Sequence, residues 1–262
     1  MKIGVVQFKP ELFQAKENVR KALEISNNFD GDLLIFPELA FTGYLFNSSD
    51  ELEKVSEYNA MTIEKWQEFS SEKDCAVIFG YPEKFMKKFY NSSVMILPNG
   101  AIKVYRKTHL FSEEKRLFQS GNTGFFVENF KGVNIGLAIC FDWFFPESFR
   151  TLALLGADII AHSANLVMPY CQGANIYSSI QNRVYIATAN RWGKDKNDEK
   201  ELCFTGESQI TSPSGEIIAK APKDGNIIIE ADIDPMFSRD KRLNAFNDVL
   251  KDRKPNFYRL SQ

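Results

Sequence analysis

The run Val133-Asn-Ile-Gly-Leu-Ala-Ile-Cys140 continues as Phe141-Asp-Trp-Phe-Phe-Pro146, then Glu147-Ser-Phe-Arg-Thr-Leu-Ala-Leu-Leu-Gly156, then Ala157-Asp-Ile-Ile-Ala-His162. Val133–Ile139 is an apolar run of strand length. Pro146 stands where a first helical turn accepts proline, and Gly156 stands where a helix ends, the usual asymmetry of helix termini. Asp158–His162 is again a strand. The unit is strand, helix, strand, with a cysteine at the end of the first strand.

Working outward, strand-length apolar runs recur at Ile3–Phe8, Asp32–Phe36, Cys75–Gly80, Ser92–Leu97, Ala101–Tyr105, Phe125–Val127, Val184–Ala189, Phe204–Thr211 and Ile227–Ile233. Several, such as Leu33-Leu34-Ile35-Phe36, are apolar at both alternating positions, which suits strands covered on both faces. Helical periodicity marks Lys16–Phe29, Glu51–Ser71 (with a break expected at Asn59-Ala60-Met61-Thr62), Pro146–Leu155 and Gln172–Arg183. Pro98-Asn99-Gly100 and Pro213-Ser214-Gly215 read as hairpin turns. The charged stretch Lys194–Glu201 reads as a solvated loop. This alternation implies one α/β domain over residues 1–262, with a polar tail at 237–262 that docks on its own domain or on a second subunit.

Composition excludes several classes. Of 262 residues, 44% are hydrophobic and 25% charged, ordinary globular usage. Lys plus Arg at 32 nearly balances Asp plus Glu at 34, against the basic excess of a nucleic-acid binder. No apolar run approaches the roughly 20 residues of a membrane span. Met1–Phe8 reads directly as a strand without the plan of an export signal, so a cytoplasmic location is expected. Cys75, Cys140, Cys171 and Cys203 form no Cys-x-x-Cys pair, which leaves thioredoxin-type and zinc readings without support. Cys75, Cys171 and Cys203 read as structural.

Three reactive residues stand at three strand ends: Glu38 after Asp32–Pro37, Lys107 after Ile102–Arg106, and Cys140 after Val133–Ile139. Sites in sheet-based α/β proteins gather outside the carboxyl ends of strands, so a carboxylate, an amine and a thiol can converge there. A thiol needs a neighbouring base or cation to become a nucleophile. His109 and His162 are the histidines available for a Cys–His pair. A glutamate serves instead if burial raises its pKa, and a lysine can steady charge developing on a substrate oxygen. Neither a Gly-x-Ser-x-Gly elbow, a phosphate-binding glycine loop nor a His-Glu-x-x-His motif is present.

Four blocks carry a resemblance. They are Phe36-Pro-Glu-Leu-Ala-Phe-Thr-Gly-Tyr44, Tyr105-Arg-Lys-Thr-His-Leu-Phe111, Gly136-Leu-Ala-Ile-Cys-Phe-Asp-Trp-Phe-Phe-Pro-Glu147 and Gly206-Glu-Ser-Gln-Ile-Thr-Ser-Pro-Ser-Gly215. In these the chain resembles the nitrilase superfamily of carbon–nitrogen hydrolases, from about Ile3 to about Ile233. The resemblance implies a four-layer α-β-β-α sandwich, with Glu38 as general base, Lys107 as charge stabiliser and Cys140 as nucleophile. It also implies a second glutamate supporting the lysine, which the spacing Glu-Lys-x-x-Phe-x-x-Gly puts at Glu114. The Phe141 N–H would share the oxyanion with Lys107, and Tyr44, Trp143, Asn165 and Met168 would line the pocket. It implies pairing across a helix face into a homodimer or higher homo-oligomer, with the C-terminal tail at the contact. The stretch Gln181-Asn182-Arg183-Val184-Tyr185 departs from the family's usual wording there.

The expected activity is hydrolysis of a small amide at a non-peptide C–N bond through a Cys140 thioester, with no cofactor and no metal. Nitrile hydrolysis uses the same groups and is the nearest alternative. A catalytically silent binding or scaffold protein on the same fold is the alternative from another class, and it predicts a damaged triad.

Overall fold

The computed structural model describes residues 1–258; of the expected tail, residues 259–262 lie outside the described residues. Two six-stranded sheets stack face to face. The first half of the chain runs β1 (Lys2–Gln7), α1 (Ala15–Ser26), β2 (Leu33–Ile35), α2 (Ser49–Ser56), α3 (Asn59–Lys73), β3 (Ala76–Phe85), β4 (Lys88–Ile96) and β5 (Ile102–Arg106). The second runs α4 (Glu114–Leu117), β6 (Val127–Phe130), β7 (Val133–Ile139), α5 (Pro146–Leu154), β8 (Ile159–Ala164), α6 (Cys171–Asn182) and β9 (Tyr185–Asn190). After it come β10 (Trp192–Asn197), β11 (Lys200–Thr205), β12 (Gln209–Thr211), β13 (Ile217–Lys220), β14 (Ile227–Asp232) and α7 (Pro235–Arg239).

The sheet orders are β14-β1-β2-β3-β4-β5 and β13-β12-β9-β8-β7-β6. Each has three parallel strands at its centre, β1-β2-β3 and β7-β8-β9, flanked by antiparallel ones. Parallel strands are expected to be buried on both faces, and the period-two alternation shows which residue faces which layer. Ile3, Val5, Leu33, Ile35 and Ile78 meet Ile135, Leu137, Ile139 and Ile159 between the sheets. The alternate residues Val6, Leu34, Phe36, Val77 and Phe79 face outward against Val19 and Ala22 of α1 and Trp66 and Phe69 of α3. On the opposite side Ala138, Ile160 and Ile186 pack against Phe149 and Leu152 of α5. The result is the four-layer α-β-β-α sandwich. Each fully buried Ile, Leu or Phe adds about 1.5–3 kcal/mol.

Both turn signals become hairpins, β4–β5 and β12–β13. The helix expected over Glu51–Ser71 is two helices, broken at Glu57-Tyr58, just before the expected break. Ser48 caps the first, its side chain accepting from the Glu51 N–H.

Two expectations need correction. The charged stretch Lys194–Glu201 is no loop but most of the β10–β11 hairpin, with Asp198 at φ +53° in its turn. Its charges hide a period of two: Lys194 and Lys196 are exposed while Asp195 between them is buried. The single strand expected over Phe204–Thr211 is split between β11 and β12. Gly206 and Glu207 both take positive φ and swing the chain from the hairpin into the second sheet. A Cβ on Gly206 would overlap the Lys223 carbonyl. Among the described residues no helix is long and apolar enough to cross a membrane.

Candidate active site

Glu38, Lys107 and Cys140 follow β2, β5 and β7, and the face-to-face sheets bring these three carboxyl ends together. Glu38 and Lys107 are fully buried, and Glu114 and Cys140 nearly so. Lys107 Nζ donates to Glu38 Oε1 at 2.6 Å and to Glu114 Oε1 at 2.8 Å. Of the two glutamates that the sequence offers in its Glu113-Glu114 pair, the structure puts Glu114 on the lysine and leaves Glu113 at the surface.

The backbone explains why these side chains hold still. The Lys107 N–H bonds the Asn91 carbonyl on β4 at 2.8 Å, and the Gly121 N–H bonds the Lys107 carbonyl at 2.8 Å. Glu38 lies in a loop clipped to β3 by Gly80 N–H to Pro37 O (3.0 Å) and Ala40 N–H to Gly80 O (2.9 Å). A Cβ on Gly80 would sit 2.5 Å from Glu38 Cα, so only glycine admits this close approach.

Cys140 opens a short 3-10 helix, Cys140–Phe144, at a φ of +40°. A non-glycine residue in that region stores roughly 1–3 kcal/mol of strain, which the surroundings must hold. Asp142 does much of this. Its Oδ2 accepts from the Ile139 N–H (2.9 Å) and the Tyr105 hydroxyl (2.8 Å), and its Oδ1 lies 2.8 Å from His109 Nδ1. His162 Nε2 donates to the Cys140 carbonyl at 2.9 Å. Both histidines are therefore engaged with the turn's framework, which corrects the Cys–His alternative: neither pairs with the thiol. The Phe141 N–H lies in the first turn of the 3-10 helix, where backbone donors have no intrahelical partner.

The charges follow from burial and neighbours. Burial pushes the Cys140 thiol well above its usual range, the nearby Glu38 charge adds to this, and Lys107 pulls the other way. Burial also raises Glu38 against the opposing pull of Lys107. Burial alone would lower Lys107, but the Glu114 and Glu38 carboxylates outweigh it and hold the ammonium form. The resting site thus holds a protonated thiol beside a carboxylate of raised basicity and a fixed cation.

Glu38 Oε1 also accepts from Asn91 Nδ2 at 2.7 Å, while Glu38 Oε2 is buried with no partner among the described residues. One oxygen is saturated and the other is left to take a proton.

The expected pocket residues divide. Phe141, Trp143, Asn165 and Met168 surround Cys140 in a recess of about 20 Å³, enough for about one water. Asn165 reaches it through its backbone carbonyl, 3.8 Å from Cys140 Sγ, and its side-chain amide donates instead to the Glu38 carbonyl at 2.8 Å. Asn165 thus lines the recess and also clamps the Glu38 loop. Tyr44 lines a separate cavity and donates its hydroxyl to Glu114 Oε1 at 2.5 Å.

Three contributors escaped the sequence reading. Asn91 left one signal, an amide in the interior of a strand that is otherwise buried. Asp142 stood inside a quoted block with no role assigned. The buried pair Arg191–Asp195 is bidentate at 2.8 Å, and Asp195 Oδ2 accepts from the Tyr44 N–H at 2.9 Å, so it anchors the tyrosine that holds Glu114. Its signal was masked by the surrounding run of surface charge.

Residues 2–242 match the carbon–nitrogen hydrolase family. The chain is 38% identical to a protein named nitrilase from Pyrococcus abyssi, over 98% of this chain and 99% of that one. It is 31% identical to an (R)-stereoselective amidase from a Pseudomonas species, over 97% of this chain and 92% of the other. Its fold matches the crystal structure of a carbon–nitrogen hydrolase from Helicobacter pylori with a TM-score of 0.88 at 23% identity, covering 98% of this chain and 96% of that one.

Proposed function

The chain belongs to the carbon–nitrogen hydrolase family, and from that premise we propose that it hydrolyses a small amide through a thioester on Cys140. Glu38 Oε2 takes the thiol proton as Sγ attacks the carbonyl carbon. The oxyanion sits between Lys107 Nζ and the Phe141 N–H. Collapse breaks the C–N bond, and the leaving amine or ammonia departs with the proton held by Glu38. Water, deprotonated by Glu38, then attacks the thioester, and the acid leaves as Cys140 recovers its proton. Glu114 and Tyr44 keep Lys107 aimed, and losing the lysine's oxyanion contact should cost about 10²–10³ in rate. Because the carboxylates, amine and thiol interact, protonation belongs to the group and not to single residues.

The observation that carries this reading is the division of Glu38, with Oε1 saturated by Lys107 and Asn91 and Oε2 bare in a site whose thiol burial keeps protonated. Such a thiol requires a base in place, and Glu38 supplies one. A second reading, nitrile hydrolysis through a thioimidate at the same Cys140, is favoured by the name of the Pyrococcus relative. Ammonia release from matched amides and nitriles, with Cys140→Ala alongside, separates them. Release from amides that the variant abolishes supports the amidase; faster release from the nitriles supports the second reading; undiminished release by the variant overturns both.

We assign the protein to the cytoplasm because four free cysteines suit a reducing compartment. We further propose a homodimer across α5 and α6. Support comes from a groove of about 670 Å³ there, where the exposed side chains of Phe144, Tyr177 and Tyr258 lie together with Arg253 from the C-terminal tail. Light scattering tests it, and a monomer at working concentration would refute it.

A further inference from the structure

Two spaces meet at Phe111. One is the recess beside Cys140, and the other is a cavity of about 470 Å³, within the size range of small-molecule sites. The larger one is floored by Tyr44 and Glu114, the pair that holds Lys107, so it ends against the supports of the reacting lysine. Its walls are Leu45, Phe46, Leu117, Phe118 and Leu202, the last from the β10–β11 hairpin. Its mouth carries Glu113, Glu199 and Glu201. Lys200 is bonded to Glu113 at 2.5 Å and Lys194 to Glu201 at 2.6 Å, while Glu199 makes no ion pair among the described residues. The body of the cavity is apolar, and the carboxylates at its mouth are matched by cations, Lys200 and Arg116 at Glu113 and Lys194 at Glu201.

We propose that this cavity selects the substrate: an amide bearing an uncharged apolar arm of medium length, the arm lying behind Phe111 while the carbonyl reaches Cys140. This rests on the hydrolase reading above. Apolar walls favour each methylene withdrawn from water and penalise a charged terminus that would lose its hydration there. The hairpin that sequence alone marked as a solvated loop thus supplies part of the specificity surface.

The test is a series of primary amides of unbranched acids from acetamide to octanamide, with N-alkylacetamides in parallel, read as kcat/KM. The expected result is a rise of about fourfold per methylene in one series until the cavity fills. The monoamide of hexanedioic acid should fall at least tenfold below hexanamide, and Leu202→Asp should flatten the slope. Flat series from an enzyme that hydrolyses acetamide would overturn the cavity assignment and leave the hydrolase reading standing. Should no amide turn over, calorimetric titration of Cys140→Ala with the same compounds reads the cavity directly. A Kd that falls with chain length supports the assignment, and one indifferent to length overturns it.

Discussion

Replacing Asn91 by leucine isolates the electrostatic setting of the proposed base. Asn91 Nδ2 donates to Glu38 Oε1 at 2.7 Å, whereas its own Oδ1 is buried without a partner. Leucine keeps the branched outline and the backbone carbonyl that receives the Lys107 N–H, and it removes an unsatisfied oxygen, so the fold should persist, as Tm will show. What goes is a hydrogen bond to a charged group in a buried site, worth about 1.5–3 kcal/mol. That bond favours the ionised carboxylate, so its loss raises the pKa of Glu38 further, by roughly one to two pH units at ~1.36 kcal/mol each. A base must be deprotonated to act, so the acidic limb of kcat/KM moves toward higher pH by that amount, while the rate well above the limb stays near that of the wild type. The assay is ammonia release across the pH range. An acidic limb that stays in place or moves to lower pH would refute the reasoning.

Other expectations follow from the same geometry. Gly80→Ala sets a methyl group against Glu38 Cα, and a base displaced by about 1 Å should lose on the order of 10² in kcat, measured beside Tm to show that the fold persists. Tyr44→Phe removes the donor to Glu114 Oε1 at 2.5 Å, and kcat should drop about tenfold with KM less affected, as steady-state kinetics will show. Burial pushes His162 down to about 4 from a usual 6.5. Between those values the unfolded chain binds a proton that the native one does not. The stability present above pH 6.5 is therefore lost as pH falls toward 4, by about 3 kcal/mol in denaturant titrations, and His162→Gln should remove that component.

Much of this architecture is written in local pattern. Leu33-Leu34-Ile35-Phe36 announces a strand covered on both faces because each alternate residue enters a different core, and Pro146 and Gly156 bracket α5 within a residue. The three strand ends are legible because reactive residues stand directly after apolar runs, and the resemblance to the family, through its spacing to Phe118 and Gly121, picks Glu114 over Glu113. What stays hidden is what depends on contacts far apart in the chain. Asn91 meets Glu38 across 53 residues, and Asn165 meets the same loop across 127. No periodicity encodes either. The β10–β11 hairpin is missed for a different reason: the alternation of β10 is written in charges, and the burial of Asp195 against Arg191 marks its inner face.

The central claim is that the acyl group passes through Cys140. Acid-quenching the enzyme during amide turnover, followed by peptide mass mapping, tests it directly. The acyl mass should appear on the peptide holding Cys140, and none on the one holding the exposed Cys203. Turnover with no acyl mass on Cys140, or with the mass on Cys203 alone, would contradict it.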